Sequence, residues 1–222
     1  MADRQMTPAP ARLPGHQTFA GAFVTVSPLS AARHGDDLFS ALGGIERADL
    51  WTWMADGPFP DRAAFQALLA TRQDGRDPLF FALVDAATAR AAGYAALMRI
   101  DAANGVVEIG HVMFGPLARR AGATEALFLL ASHVFDDLGY RRLEWKCDDR
   151  NAASKRTALR FGFRPEGVFR QHMIVKGGNR DTAWFALLDH QWPARKAAMK
   201  AWLAAENFDA DGRQKTPLAR AG

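Results

Sequence analysis

Three stretches of this 222-residue chain carry residue types at spacings that could do chemistry. The first is LEWKCDDRNAASKRTALRFGFRPEG, residues 143–167, where Cys147, Asn151 and Ser154 fall around a polar turn. A thiol is a nucleophile only when its pKa is depressed, and no histidine lies near Cys147 in the sequence. Asn151 has the side chain of a helix N-cap. Ser154 would then sit in the first helical turn, where a hydroxyl bonds either its own backbone or a ligand. The second stretch is GPLARRAGATEAL, residues 115–127. Arg119, Arg120, Ala121, Gly122, Ala123 and Thr124 lie in the turn into a long apolar helix. A helix start offers unpaired amides and a partial positive charge, a ready seat for phosphate. The alternative is a surface helix with two solvated arginines. The third stretch is VVEIGHVMF, residues 106–114. Strand alternation puts Glu108, Gly110 and Val112 on one face and His111 and Met113 on the other. Glu108 is the best candidate for a general base, more so if burial raises its pKa; the alternative is a solvated or ion-paired carboxylate. His111 could play the same part or be structural.

These groups need elements to hold them. Phe19 to Val26 predicts a first strand. Ser30 caps a helix through Leu42, and Asp61 caps another through Thr71. Strands follow over 79–85, 92–100 and 106–114, the last two joined at Asn104-Gly105. Leu127, Leu130, Val134 and Leu138 recur at helical spacing, so a long helix spans about 123–138 and Gly139 stops it. A strand over 142–147, a helix over 152–161 and strands over 167–175 and 182–188 complete the pattern. Trp51, Trp53, Phe59 and Phe65 either line a cleft or pack a helix on the sheet. The chain divides into a flexible arm (1–18), a mixed α/β domain (19–192), and a last helix with a mobile tail (193–222).

Composition bounds the function. Half the residues are hydrophobic, enough for one substantial core. The net charge of +4 and pI near 9.6 suit a polyanionic ligand. Nucleic acid is not expected as a partner, because no basic-aromatic cluster or finger spacing appears. Cys147 is the only cysteine, which excludes an internal disulfide and a cysteine-rich zinc site and fits a reducing cytoplasm. No metal is expected. The first residues lack the apolar core of a signal peptide, and no run of about 18 apolar residues predicts a membrane span.

The 143–167 stretch, with its strand, Asn-x-x-Ser turn, short helix and Gly162-Phe163, resembles the acetyl-CoA-binding half of the GNAT acyltransferases, and most of all their RimJ/RimL-like branch. The element order over about 20–192 resembles that fold too. The resemblance implies a mixed, mostly antiparallel sheet of six to seven strands, splayed between the fourth and fifth, and acetyl transfer from acetyl-CoA to a primary amine. It implies that backbone groups of Val112, Met113 and Phe114 bond the pantetheine arm, and that the 119–124 segment takes the pyrophosphate. The family's Q/R-x-x-G-x-G/A pattern is altered here. One register gives Arg119, Gly122 and Thr124, the other Ala118 and Ala121. It implies that Asn151 touches the cofactor arm and Ser154 meets the leaving sulfur; Lys155 and Arg156 could reach the 3′-phosphate or simply be solvated. Ala158 stands where many relatives use a tyrosine acid. Cys147, His111 and Trp53 would wall the acceptor site. Homodimers are common among relatives. The competing readings are a non-catalytic acyl-CoA-binding module on the same fold and a basic nucleic-acid-binding protein.

Overall fold

The structure, a computed structural model, describes residues 10–219. Eight strands form one sheet in the order β1-β2-β3-β4-β5-β6-β8-β7. They are β1 (Phe19–Ala20), β2 (Val24–Pro28), β3 (Leu79–Asp85), β4 (Ala91–Asp101), β5 (Val106–Met113), β6 (Arg142–Asp148), β7 (Arg164–Val175) and β8 (Gly178–Leu188). All neighbours pair antiparallel except β5 and β6, which are parallel. The count exceeds expectation because the single strand predicted over 19–26 breaks in two. Ala22, Phe23 and Val24 donate their amides to the Glu125 carboxylate at 2.8, 2.6 and 2.9 Å, which holds the chain in a turn there.

Five α-helices flank the sheet: α1 (Ala31–Leu42), α2 (Arg62–Arg72), α3 (Ala121–Ser132), α4 (Ala152–Arg160) and α5 (Trp192–Leu203). Ser30 and Asp61 cap α1 and α2 as their sequences predict, accepting from Arg33 and Ala64. The helix predicted over 123–138 starts two residues earlier, and its last turn, His133–Asp137, is a π-helix. The Asn104-Gly105 turn forms, with Gly105 at φ +62 and Asp101 accepting the Asn104 amide.

Strand alternation sorts the core into two layers. Leu79, Phe81, Leu83, Val107, Ile109, Leu143 and Trp145 face α3 and α5. Phe80, Ala82, Tyr94, Ala96 and Met113 face α1 and α2. The second layer stops at β5: it contains no residue of β6, β7 or β8. The C-terminal half of the sheet therefore has a helix-covered face and an open one. β7, at the sheet edge, is exposed along nearly its whole length. The tip of its hairpin is held by Lys176 Nζ, which donates to the Trp51 carbonyl at 2.8 Å.

Both ends of the chain depart from the expected loose segments. Residues 1–9 of the predicted arm lie outside the described residues, but Ala11 and Arg12 donate backbone bonds to Ala102 and Leu138. Trp192, Met199 and Trp202 of α5 are buried in the main core, so the core does not end at Trp192. The predicted tail folds back: Phe208 bridges to Gln214, and Leu218 is buried. Aromatic packing explains this, since Phe208 lies 5.2 Å from Phe23 and 5.3 Å from Trp202 between ring centroids.

Candidate active site

The site follows from how β5 leaves β6. The two strands pair over only three residues, Val106↔Arg142, Val107↔Leu143 and Glu108↔Glu144. Beyond Glu108 the sheet opens into a notch. Ile109–Met113 on one side and Trp145–Asp148 on the other have no strand partner across it. Parallel strand edges carry a donor and an acceptor that must find a partner, so the notch presents backbone groups to a ligand. A bulge in the β4–β5 pairing, between Ala96↔Gly110 and Tyr94↔Met113, turns the chain at His111 and Val112. His111 takes φ +49 there, a bulge geometry that re-aims side chains beside active sites. Gly110 is closely packed: a Cβ would meet the Met98 sulfur at 2.4 Å and the Glu108 carboxylate at 3.2 Å.

A cleft of about 1760 Å³ runs through the notch from one sheet face to the other. Drug-sized ligands occupy roughly 300–1,000 Å³, so this volume suits a long cofactor plus a second reactant. Its lining includes every predicted site residue except Met113: Glu108, His111, Val112, Phe114, Arg119 to Thr124, Cys147, Asn151, Ser154, Arg156 and Trp53. Met113 is buried and points instead into the α1–α2 layer.

On the helix-covered side the cleft meets the start of α3. Arg120 is its N-cap residue and supplies no side-chain cap; the Ala123 amide donates to the Arg120 carbonyl at 3.2 Å, and the earlier first-turn amides receive no side-chain cap. Gly122 lines the cleft and also serves packing. It is buried, and a Cβ there would lie 3.1 Å from Leu117 and 3.4 Å from the Phe23 carbonyl, so the glycine lets α3 pack on the β2 edge. Arg119, Arg120 and Arg156 are exposed and form no ion pair among the described residues. Lys155 is committed to Asp149 at 2.8 Å.

Asn151 caps α4, its Oδ1 accepting the Ser154 amide at 2.9 Å. Ser154 Oγ accepts from the Trp145 indole Nε1 at 2.9 Å. An indole only donates, so the serine proton stays available. It lies within reach of the Cys147 thiol. Burial pushes the Cys147 thiol up, against the opposing Ser154 hydrogen bond. A raised pKa removes the thiolate that nucleophilic catalysis would need. Ala158 is fully buried in the core.

On the open face, the notch is lined by charge. Lys146 Nζ, 6% exposed, lies 2.7 Å from Glu144 Oε2 and 2.9 Å from Glu108 Oε2, and 3.7 Å above the Trp184 ring. Both carboxylate contacts have ion-pair distance but poor hydrogen-bond alignment. Arg142 bonds Glu144 at 2.8 Å and Glu166 at 2.5 Å. Burial pushes Glu144 up, but Lys146 and Arg142 outweigh it and hold it low. Glu108 has only Lys146 and a more distant Arg99 at 3.6 Å, and burial wins: its pKa is raised. Of two carboxylates sharing one lysine, Glu108 is the one poised to take a proton. His111 is driven the other way. Burial, with Arg72 nearby, lowers it to about 4, so it is a neutral and weakly basic imidazole. It separates the main cleft from a cavity of about 370 Å³ lined by Asp56 and Arg72. Trp53 forms the rim, with the Arg150 guanidinium 5.5 Å from its ring centre. Trp51 and Phe65 are fully buried and pack with Phe59 instead of lining the cleft.

Lys146 and Trp145 escape a sequence reading. Lysine in an alternating strand reads as solvent-facing, and its burial depends on the pairing of three strands. Trp145 reads as core. Its hydrogen bond to Ser154 depends on where α4 lands.

An acetyltransferase (GNAT) domain matches residues 24–164. A GCN5-related N-acetyltransferase from Brucella melitensis, known from its crystal structure, is 52% identical, covers 96% of each chain and superposes with a TM-score of 0.93. The microcin C7 self-immunity acetyltransferase MccE, solved with acetyl-CoA and AMP, is 21% identical over 76% of this chain and 93% of its own, with a TM-score of 0.65, and shares the fold. Among curated proteins, the uncharacterized N-acetyltransferase YoaA of Bacillus subtilis is 33% identical over 81 residues, 36% of this chain and 46% of YoaA. The chain spans about half the length of the curated relatives it matches. The domain match over well more than half of the chain, on a sheet with the splayed notch, shows that this protein belongs to the GNAT acetyltransferase family.

Proposed function

We propose that the protein is an acetyl-CoA-dependent N-acetyltransferase that moves the acetyl group directly to a primary amine, as in the RimJ/RimL-like branch, whose acceptors are protein N-termini and small amines. The observation that carries this reading is the notch. Its unpaired strand edges fit an amide-bearing arm, and one end opens on an uncapped helix start beside unpaired arginines. That donor set fits a diphosphate joined to a long pantetheine chain. MccE, which shares the fold, binds acetyl-CoA.

The acceptor amine enters from the open face. Its nitrogen attacks the thioester carbon, so that a C–N bond forms as the C–S bond breaks. The ammonium proton passes to Glu108, directly or through one water, because burial keeps that carboxylate basic enough to accept it. Backbone amides of β5 beyond Glu108 polarise the carbonyl. The Ser154 hydroxyl, which Trp145 occupies only as an acceptor, turns its proton from the Cys147 sulfur to the departing CoA sulfur. Cys147 and His111 shape the acceptor side without exchanging protons: the first is held as a thiol, the second is too weak a base.

The ion pair between Glu108 and Lys146 favours one rival, a binding module whose carboxylate is structural. Thiol release separates the two. With acetyl-CoA and a panel of peptides and small amines, the enzyme reading expects free CoA to appear with at least one acceptor and to fall on Glu108→Gln. Acetyl-CoA binding with no release across the panel would favour the module.

A further inference from the structure

The cleft continues past α3 onto a part of the chain that follows the matched domain. Trp202 on α5 and the Phe208–Gln214 loop line its far end, together with Arg160 at the end of α4. Arg160 is half-buried and forms no ion pair among the described residues, and burial alone lowers its pKa. A guanidinium taken partly out of water without a carboxylate calls for another anion. Its geometry is set from three sides. Its Nη1 donates to the Thr124 hydroxyl at 3.0 Å, in the first turn of α3. Its guanidinium carbon lies 4.9 Å from the Trp202 ring centre. Its carbonyl, and that of Phe161, accept from Arg195, a buried residue of α5. The loop is folded around its own bonds: Asp209 accepts from Arg213, Lys215 donates to Asn207, and Gln214 accepts from the Trp202 indole at 2.9 Å. The exposed Arg213 adds a second cation to the cleft wall, loosely paired with Asp211 at 3.6 Å.

Thr124 stands at a position where the altered 119–124 pattern has lost a small residue, and Gly122 also serves packing. The hydroxyl that replaces it holds an arginine at the helix start. We propose that the C-terminal segment is part of the cofactor site: Arg160, aimed by Thr124 and Trp202, takes a phosphoryl group at the nucleotide end of acetyl-CoA, and the Phe208–Gln214 loop walls that end. This rests on the acetyl-CoA reading above.

Calorimetric titration of CoA and of 3′-dephospho-CoA into the full chain tests it. Arg160→Gln should weaken CoA about ten- to a hundredfold, the loss of a charge-assisted contact to phosphate. Equal loss for both ligands assigns the diphosphate, and loss for CoA alone assigns the 3′-phosphate; either supports the proposal. Should Arg160→Gln fail to fold, Thr124→Val removes only the aiming hydroxyl and Arg213→Gln only an exposed cation, and each should weaken CoA several-fold. Wild-type CoA affinity in a folded Arg160→Gln, or in both of the other variants, overturns the proposal and leaves the acetyl-CoA reading standing. No binding of CoA to the wild-type chain overturns both.

Discussion

The two ends of the cleft handle charge in opposite ways. At the nucleotide end, Arg119, Arg120, Arg156 and Arg160 form no ion pair among the described residues. At the acceptor end the charges neutralise one another: Arg99, Glu108, Lys146, Glu144, Arg142 and Glu166 make a connected ladder, and Asp148 is held low by Arg150. Arg119, Arg120 and Arg156 are exposed and only Arg160 is partly taken out of water, so the first end presents a positive field that suits a polyanion. The second end is set to one protonation state before any ligand comes. On the proposed reading, affinity belongs mostly to one end and proton handling to the other.

Glu108→Gln should break that division most sharply. It should lower kcat by about 10²–10⁴-fold, the range for a lost general base, and leave acetyl-CoA affinity within twofold. Steady-state thiol release beside calorimetry checks this; equal losses in rate and affinity would merge the two roles. Lys146→Met strips the cation from two buried carboxylates. Breaking a buried pair costs about 3–5 kcal/mol, read as a lower denaturant midpoint.

The same variant gives the pH test. The protonated form of Glu108 is inactive as a base, so the rate falls as pH drops through its pKa, which lies above the ordinary 4.5. Lys146 opposes the rise. Without it the carboxylate is harder to ionise, and the acid limb of the kcat profile should move to higher pH. A limb that stays in place or moves to lower pH would take Glu108 out of the rate. Ser154→Ala should lower kcat about tenfold or more with little change in acetyl-CoA affinity, and Trp145→Phe should give a smaller loss of the same kind. Arg119→Gln and Arg120→Gln should show the smallest effects, a few-fold each in acetyl-CoA affinity, fading as salt rises because both side chains are exposed.

Much of this was legible in the residues. The helix caps at Ser30, Asp61 and Asn151 appear where local chemistry puts them, because a cap is decided within four residues. Strand β3 spans the predicted 79–85, since the apolar run from Leu79 to Val84, bounded by Pro78 and Asp85, leaves little choice. The notch also lies between the strands the resemblance implies. The parts that were not legible depend on distant pairs. Glu125 breaks the first strand from about a hundred residues away. Lys146 is buried because Glu108, Glu144 and Trp184 meet it in register. Arg160 reads as one more basic residue at a helix end until Trp202 and Thr124 close around it. The packing roles of Gly110 and Gly122 were not legible either, since Met98 and the β2 edge that need their missing side chains are brought there by the fold.

The most direct test of the central claim is calorimetric titration of acetyl-CoA into the wild-type chain at two salt concentrations. We expect one-to-one binding with a dissociation constant on the order of micromolar that weakens as salt rises. No heat at millimolar acetyl-CoA would contradict the notch as a cofactor site, and with it the proposed reaction.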